Sequence, residues 1–366
     1  MRGSIKHIFV GSNTAVGYFS LVDSIVSQQE ARTIFILKGA PGASKSNFMK
    51  KIGEAIIDEN IDVEYYHSSY DPNLLDGLFI PSLKIALLDG SFPNALEPVN
   101  LGVVDNVLDF GVFLSPEKLY TYKNSILSLN EQIDRSYVKA LFYLEAADAL
   151  YRQYLFTMKP TIQTEEKLQF ERELLVKLQE IIPNKNVFGN SRTLFGSAIT
   201  GEGVVDYIHT LIGRTETIYL FKETLSCNTK ELMQKLKDLL VYNGYNIECY
   251  ISPLDVDKIE DIIIPELSLA FTTNNNFHKP KIFPTHIIDF TNFIKPDVFK
   301  EAYSGADKDF KFMMTLQEKA TQAIASAKKY QDALEIYYND ATNEAGMEEQ
   351  FALLLADILS ETTIKA

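Results

Sequence analysis

Apolar residues in this chain cluster in short runs rather than one long span. Ile34-Phe35-Ile36-Leu37 is the clearest; 63–66, 83–88 and 107–110 are similar. Short, mostly apolar runs of this length predict strands buried on both faces. After the first run the period changes: Phe48, Ile52, Ala55 and Ile56 fall on one side of a helix. Phe19, Leu21, Val22 and Ile25, and later Val204, Val205, Ile208 and Leu211, predict two further amphipathic helices. Long helical tails are expected over 116–182, with Leu141, Leu144, Ala147 and Tyr151 at helical spacing, and over 296–363, with Ala323, Ala327, Tyr330, Leu334 and Tyr337. Strands alternating with helices predict an α/β fold with mostly parallel sheets, helices on both faces and right-handed crossovers.

The pattern is written twice. Lys38 and Lys222 stand 184 residues apart, and the same offset carries Phe48, Ile52 and Ile56 onto Leu232, Leu236 and Leu240. It also carries Val63-Glu64-Tyr65-Tyr66 onto Ile247-Glu248-Cys249-Tyr250, Asp71 onto Asp255 and Ile80-Pro81 onto Ile264-Pro265. Asp148-Ala149-Leu150 and Asp332-Ala333-Leu334 keep it too. A register held over this length is a duplicated domain rather than a short solenoid repeat. Pro183-Asn184-Lys185-Asn186 reads as the linker. The expected units are residues 1–184 and 191–366, each ending in its helical tail.

Between the first strand and its helix lies Gly39-Ala40-Pro41-Gly42-Ala43-Ser44-Lys45-Ser46, followed by Asn47. Strand, glycine-rich turn, Lys-Ser and helix make a phosphate-binding P-loop. Glycines let backbone N–H groups point inward, and the helix N-terminus adds partial positive charge. Residues 39–47 are therefore candidate nucleotide contacts. Lys45 is the candidate for neutralising the transferred phosphoryl group and Ser46 for Mg²⁺. The loop departs from the usual pattern at Ser44, where glycine is the norm. Ser or Ala at that place is tolerated in some AAA+ relatives, the minichromosome-maintenance helicases and MoxR-type ATPases, which the loop resembles at that point only.

The second copy reads Glu223-Thr224-Leu225-Ser226-Cys227-Asn228-Thr229-Lys230 here. Lys45 has become Thr229 and both glycines are gone, so no productive site is expected. Residues lost with the loop are candidates for nucleotide chemistry; residues kept in both copies are candidates for structure. Asp89, at a strand end, is replaced by Thr273 and becomes the candidate Mg²⁺ carboxylate and catalytic partner of Lys45. Asp109 is kept as Asp289 and Asp71 as Asp255, so both read as structural. His67 reads as a solvated strand end, the segment 11–17 as architectural, Cys227 as inert, and Arg192 or Arg214 as surface residues rather than an arginine finger.

Composition narrows the partners. A formal net charge of −14 disfavours a broad grip on nucleic acid or anionic lipid. Two cysteines, Cys227 and Cys249, without metal-ligand spacing, give no disulfide framework. No apolar run is long enough to span a bilayer, and residues 1–7 lack a signal-peptide core, so a cytoplasmic setting is expected. The helical tails are a candidate surface for a protein partner or self-association.

Phe35-Ile36-Leu37-Lys38-Gly39-Ala40-Pro41-Gly42, Lys45 through Ile52, Leu75-Asp76-Gly77 and Ile80-Pro81 resemble a family of bacterial tandem P-loop ATPase-like proteins, chiefly of Firmicutes. Phe195 through Thr200 and Ile263 through Ser268 are similar too, so the resemblance covers nearly the whole chain. It implies ATP binding; the chain departs from it at Ser44 and throughout the second loop. The expectation is a Mg²⁺-dependent ATPase with one working site in the first unit. Two alternatives stand beside it. One is a P-loop kinase of a nucleoside or small molecule, against which counts the sparse Arg135, Arg152 and Arg172. The other is a non-catalytic nucleotide sensor.

Overall fold

The computed structural model describes residues 2–39, 43–91 and 95–364. The first half runs β1 (Ile5–Phe9), β2 (Gly11–Thr14), β3 (Gly17–Ser20), β4 (Thr33–Lys38), α1 (Ala43–Asp58), β5 (Val63–His67), β6 (Leu75–Ile80), β7 (Ile85–Asp89), β8 (Asp105–Asp109), α2 (Pro116–Thr121), α3 (Lys123–Met158) and α4 (Thr164–Ile181). The second half repeats it as β9 (Ser191–Leu194), β10 (Ser197–Thr200), β11 (Gly203–Asp206), α5 (Ile208–Ile212), β12 (Thr217–Lys222), α6 (Lys230–Tyr242), β13 (Ile247–Ile251), β14 (Ile259–Ile264), β15 (Leu269–Asn274), β16 (His286–Asp289), α7 (Pro296–Ala341) and α8 (Glu344–Ile364).

Each half builds one six-stranded sheet, and the strand orders correspond: β1-β5-β6-β7-β4-β8 and β9-β13-β14-β15-β12-β16. The sheets are mixed. β6 and β14 run antiparallel to both neighbours; the remaining pairings are parallel.

The two faces of each sheet are covered differently, and the strand periodicity of two sorts the side chains. Phe35 and Leu37 point to the outer face with Phe48, Ile52 and Ile56 of α1. Ile34 and Ile36 point inward and share one core with Leu194, Ile218, Tyr250 and Ile263 of the second sheet. Helices therefore flank each sheet on its outer side, while the inner sides meet each other. This replaces the expectation of crossover helices on both faces. Burial on both sides explains why a central strand such as β4 reads as an apolar run, whereas β8, also expected to be buried, is a largely exposed edge strand.

The two predicted helices near residues 19–25 and 204–211 are mostly hairpins. β2 and β3 pair through a two-residue loop, as do β10 and β11. Gly17 and Gly203 close these turns at φ +106° and +100°, a conformation costly for residues with a Cβ. What remains helical is a single turn at Val22–Ser24 in the first copy and α5 in the second, whose Ile208, Leu211 and Ile212 enter the shared core. The hairpins meet about a pseudo-twofold. Phe9 and Phe195 exchange reciprocal backbone hydrogen bonds of 2.9 and 3.2 Å. Asn13 Nδ2 donates to the Ile199 carbonyl at 2.8 Å.

The helical tails cross between the halves. α3 and α7 pack antiparallel, with Ile126, Ile133 and Tyr137 against Ala327 and Leu334 at one end and Met158 against Ala306 at the other. Beyond this pair each chain segment continues over the opposite sheet. α4 buries Leu178 against Leu232, Leu236 and Leu240 of the second half. α8 buries Leu354 and Ile358 against Phe48, Ile52 and Ile56 of the first. Two backbone bridges mark the crossings, Leu114 with Thr342 and Ile162 with Ile294. Among the described residues no helix is long and apolar enough to cross a membrane.

Candidate functional site

At the carboxyl end of the first sheet, β4 runs through Lys38 into Gly39, at φ +129°. A Cβ on Gly39 would lie 2.8 Å from Gly111 N and 2.9 Å from Phe110 Cβ, so only glycine fits. Ala40, Pro41 and Gly42, three of the expected contacts, lie outside the described residues. The chain resumes as α1, which starts at Ala43.

The first turn of α1 divides its residues between two cavities. Lys45 and Ser46 line one of about 500 Å³, together with Gly39 and Asp89. Ser44 and Asn47, on the other side of the helix, line a neighbouring cavity of about 430 Å³. The expected group of Gly39, Lys45, Ser46 and Asp89 is thus brought together, with Ser44 and Asn47 facing away from it. Lys45 is fully buried, which demands a counter-charge. Its Nζ lies 3.0 Å from Asp89 Oδ1 and donates to Ser91 Oγ. Asp89 in turn accepts the Ser91 backbone N–H at 2.8 Å. The Ser46 hydroxyl accepts the Leu75 N–H at 2.8 Å, which ties α1 to β6.

β6 brings a residue to this cavity that received no role from the sequence. Asp76 lines it, and its Oδ2 is buried without a hydrogen-bond partner. Burial first, then the Asp89 carboxylate, push the Asp76 acid up to about 7, against a hydrogen bond from Ser68 and the charge of Lys45. The signal was a lone acid at the head of the apolar strand Leu75-Asp76-Gly77-Leu78-Phe79-Ile80. Tyr70, on the loop after β5, also reaches the cavity with a buried, unpartnered hydroxyl. Ile133 and Tyr137 of α3 and Gln331 and Glu335 of α7 roof it, so both halves enclose the space.

In the second half the corresponding place is filled from within. Glu223 stands where Gly39 stands in the first. Its Oε2 accepts the backbone N–H of Thr229 at 2.7 Å and the Thr229 hydroxyl at 2.8 Å. Its Oε1 accepts from Lys258 Nζ and, at 2.9 Å, from Asn275 Nδ2. A carboxylate thus occupies the helix N-terminus that an outside anion would use. Lys230 does not enter; it pairs with Asp255 at 2.8 Å. Behind Glu223, His278 is buried with Asp261 Oδ1 at 3.0 Å and Glu260 Oε2 at 3.5 Å. These carboxylates outweigh its burial and raise it to about 10.

The remaining candidates are structural. Asp109 and Asp289 each cap a short turn, accepting from Gly111 N at 2.7 Å and Thr291 N at 2.9 Å. Asp71 pairs with Lys328 of α7 at 3.0 Å. His67 is buried rather than a solvated strand end: its Nδ1 meets the Pro72 carbonyl at 2.7 Å and its Nε2 meets His7 Nδ1 at 2.8 Å. Arg192 forms a bidentate pair with Glu64, at 2.7 and 3.1 Å, joining the two halves. Burial pushes the Cys227 thiol up to about 11, which leaves it unreactive.

Among the described residues no three His, Cys, Asp or Glu side chains are grouped to hold a metal ion. No family model, curated protein or solved structure matches this chain.

Proposed function

We propose that the first half binds a nucleoside triphosphate with Mg²⁺ and hydrolyses it, and that the second half is a non-binding partner enclosing the same site. The observation that carries this reading is the convergence of Lys45, Ser46 and Asp89 on one cavity, at a strand end and a helix N-terminus. The oxygen donors suit Mg²⁺, a hard cation that takes few protein ligands and completes its shell with water and phosphate. Ser46 Oγ and the Asp89 carboxylate would hold it, and it would supply charge neutralisation across the phosphate oxygens.

The chain's own residues have distinct tasks. Lys45, now balanced by Asp89, would turn to the terminal phosphates and neutralise charge developing there. Asp76 would accept the proton of the attacking water as its oxygen bonds to phosphorus and the bond to the leaving phosphate breaks. Its buried, unpartnered Oδ2 on the cavity wall is the observation that favours Asp76 for this task. The roofed cavity also has room beyond the phosphates, with the Tyr70 hydroxyl on its wall, and this favours a second reading, phosphoryl transfer to a small acceptor.

The test is calorimetric binding of Mg·ATP together with phosphate release, on wild type, Lys45→Ala and Asp76→Asn. Lys45→Ala should lose binding. Asp76→Asn should bind normally and turn over about a hundredfold more slowly. Equal binding by wild type and Lys45→Ala would end the nucleotide reading. Turnover that requires an added acceptor would select transfer over hydrolysis.

A further inference from the structure

We propose that the 430 Å³ cavity beside the first turn of α1 is the subsite for the nucleoside end of the nucleotide, and that the second half supplies one wall of it. This rests on the phosphate reading above. The two cavities flank the same helical turn. Ser44 and Asn47, three residues apart, face one; Lys45 and Ser46 face the other. A ligand with its polyphosphate tail over this turn finds, on the side where Ser44 and Asn47 point, a second space for its opposite end.

The walls have the chemistry a nucleoside requires. Phe48, Met347 and Phe351 give flat or pliable apolar surface, and Asn47, Asn339 and Thr342 bring hydrogen-bonding groups to its edges. The Phe48 and Phe351 rings meet edge to face with centroids 6.1 Å apart. Lys51 spans the rim, 2.7 Å from Glu348 and 5.6 Å from the centre of the Phe351 ring. The volume lies within the range of small-molecule sites.

Three of these residues, Met347, Glu348 and Phe351, come from α8, the helix that crosses from the second half. The same position in the second half's own covering helix is occupied differently. α4 and α8 start 180 residues apart, so Phe351 corresponds to Glu171. Glu171 is fully buried and paired with Lys167 at 2.7 Å. The Phe351 ring and the cradle at Gly39 and Lys45 are therefore both replaced in the second half, as expected if one ligand uses both.

The experiment compares Mg·ATP with Mg·tripolyphosphate, which has the phosphates without the nucleoside, by titration calorimetry. Wild type should bind ATP more tightly than tripolyphosphate. Phe351→Ala should weaken ATP about ten-fold or more and leave tripolyphosphate unchanged. Asn339→Trp, at an exposed position on the rim, should give the same selective loss without touching the core. Lys45→Ala should lose both ligands. The proposal is overturned if wild type binds the two equally, or if Asn339→Trp and Phe351→Ala spare ATP or weaken both ligands alike. Failure of wild type to bind either ligand overturns the phosphate reading itself, a result distinct from the loss of selectivity.

Discussion

The most telling residue is Glu223, because its side chain fills from within the place that Gly39 takes in the first half. Where the first half keeps Gly39 and Leu74, the second has Glu223 and Lys258, both buried. The Lys258 ammonium is held well above its usual range by Glu223 and Glu260, despite burial. Such a pair contributes little net stability while intact, yet breaking it strands a charge in the interior. Lys258→Ala should therefore cost about 3–5 kcal/mol in denaturant unfolding. Glu223→Gly combined with Lys258→Leu, the residues of the first half, should recover only part of that loss, because Thr229 and Asn275 lose their buried acceptor. A double variant as unstable as the sum of its parts would show that the two are not coupled. The disappearance of Lys45 and the glycines was readable from the aligned copies. That the replacing acid would itself accept the Thr229 N–H at the start of α6 was not, because a one-dimensional pattern says where a charge lies, not whether a partner reaches it. Asp76 was missed for a related reason. Its interest comes from Asp89 and Lys45, which lie on other elements.

At the scale of elements, the four apolar runs became strands, and the strand Leu75–Ile80 was not among them. Asp76 and Gly77 interrupt the apolar residues of Leu75–Ile80, and its antiparallel pairing with both neighbours is a tertiary fact that periodicity does not carry. The segments after Gly11 and Gly196 were misread because Phe19, Leu21, Val22 and Ile25 fit a helix as well as a short hairpin followed by a turn. The glycines at positive φ decided it. The helical tails were legible in extent but not in destination. Each is broken after its long helix, by the turn at Lys159–Thr161 and again near Thr342, and the last segment goes to the other sheet. Leu354 and Ile358 therefore belong to the first half's core although they lie near the end of the chain. Leu354→Ala should cost about 2–5 kcal/mol, as for other buried leucines. Lys51 and Glu348, exposed on the same pair of helices, should matter much less: Glu348→Ala should cost about 1 kcal/mol or less. Equal effects from these two changes would mean that α8 is held by its surface and not by its apolar face.

For the whole molecule, the exchange of helices and the shared inner core make the halves interdependent. Cutting at the 183–186 linker would remove α8 from α1, leaving Phe48, Ile52 and Ile56 part-covered, and would expose Ile34, Ile36 and Tyr66 on the inner sheet face. It would also free the Arg192–Glu64 pair and the Phe9–Phe195 bridge. Exposed apolar area of this extent favours aggregation or a new partner. Residues 1–184 and 185–366 expressed separately should therefore be insoluble or lack cooperative unfolding, whereas co-expressed they should co-purify as a one-to-one complex. Nucleotide binding, measured on that complex, should follow reassembly, since the roof over Lys45 takes α3 from one half and α7 from the other. If residues 1–184 alone stay monomeric, unfold cooperatively and bind Mg·ATP as tightly as the intact chain, the second half is a passenger and the composite site is wrong.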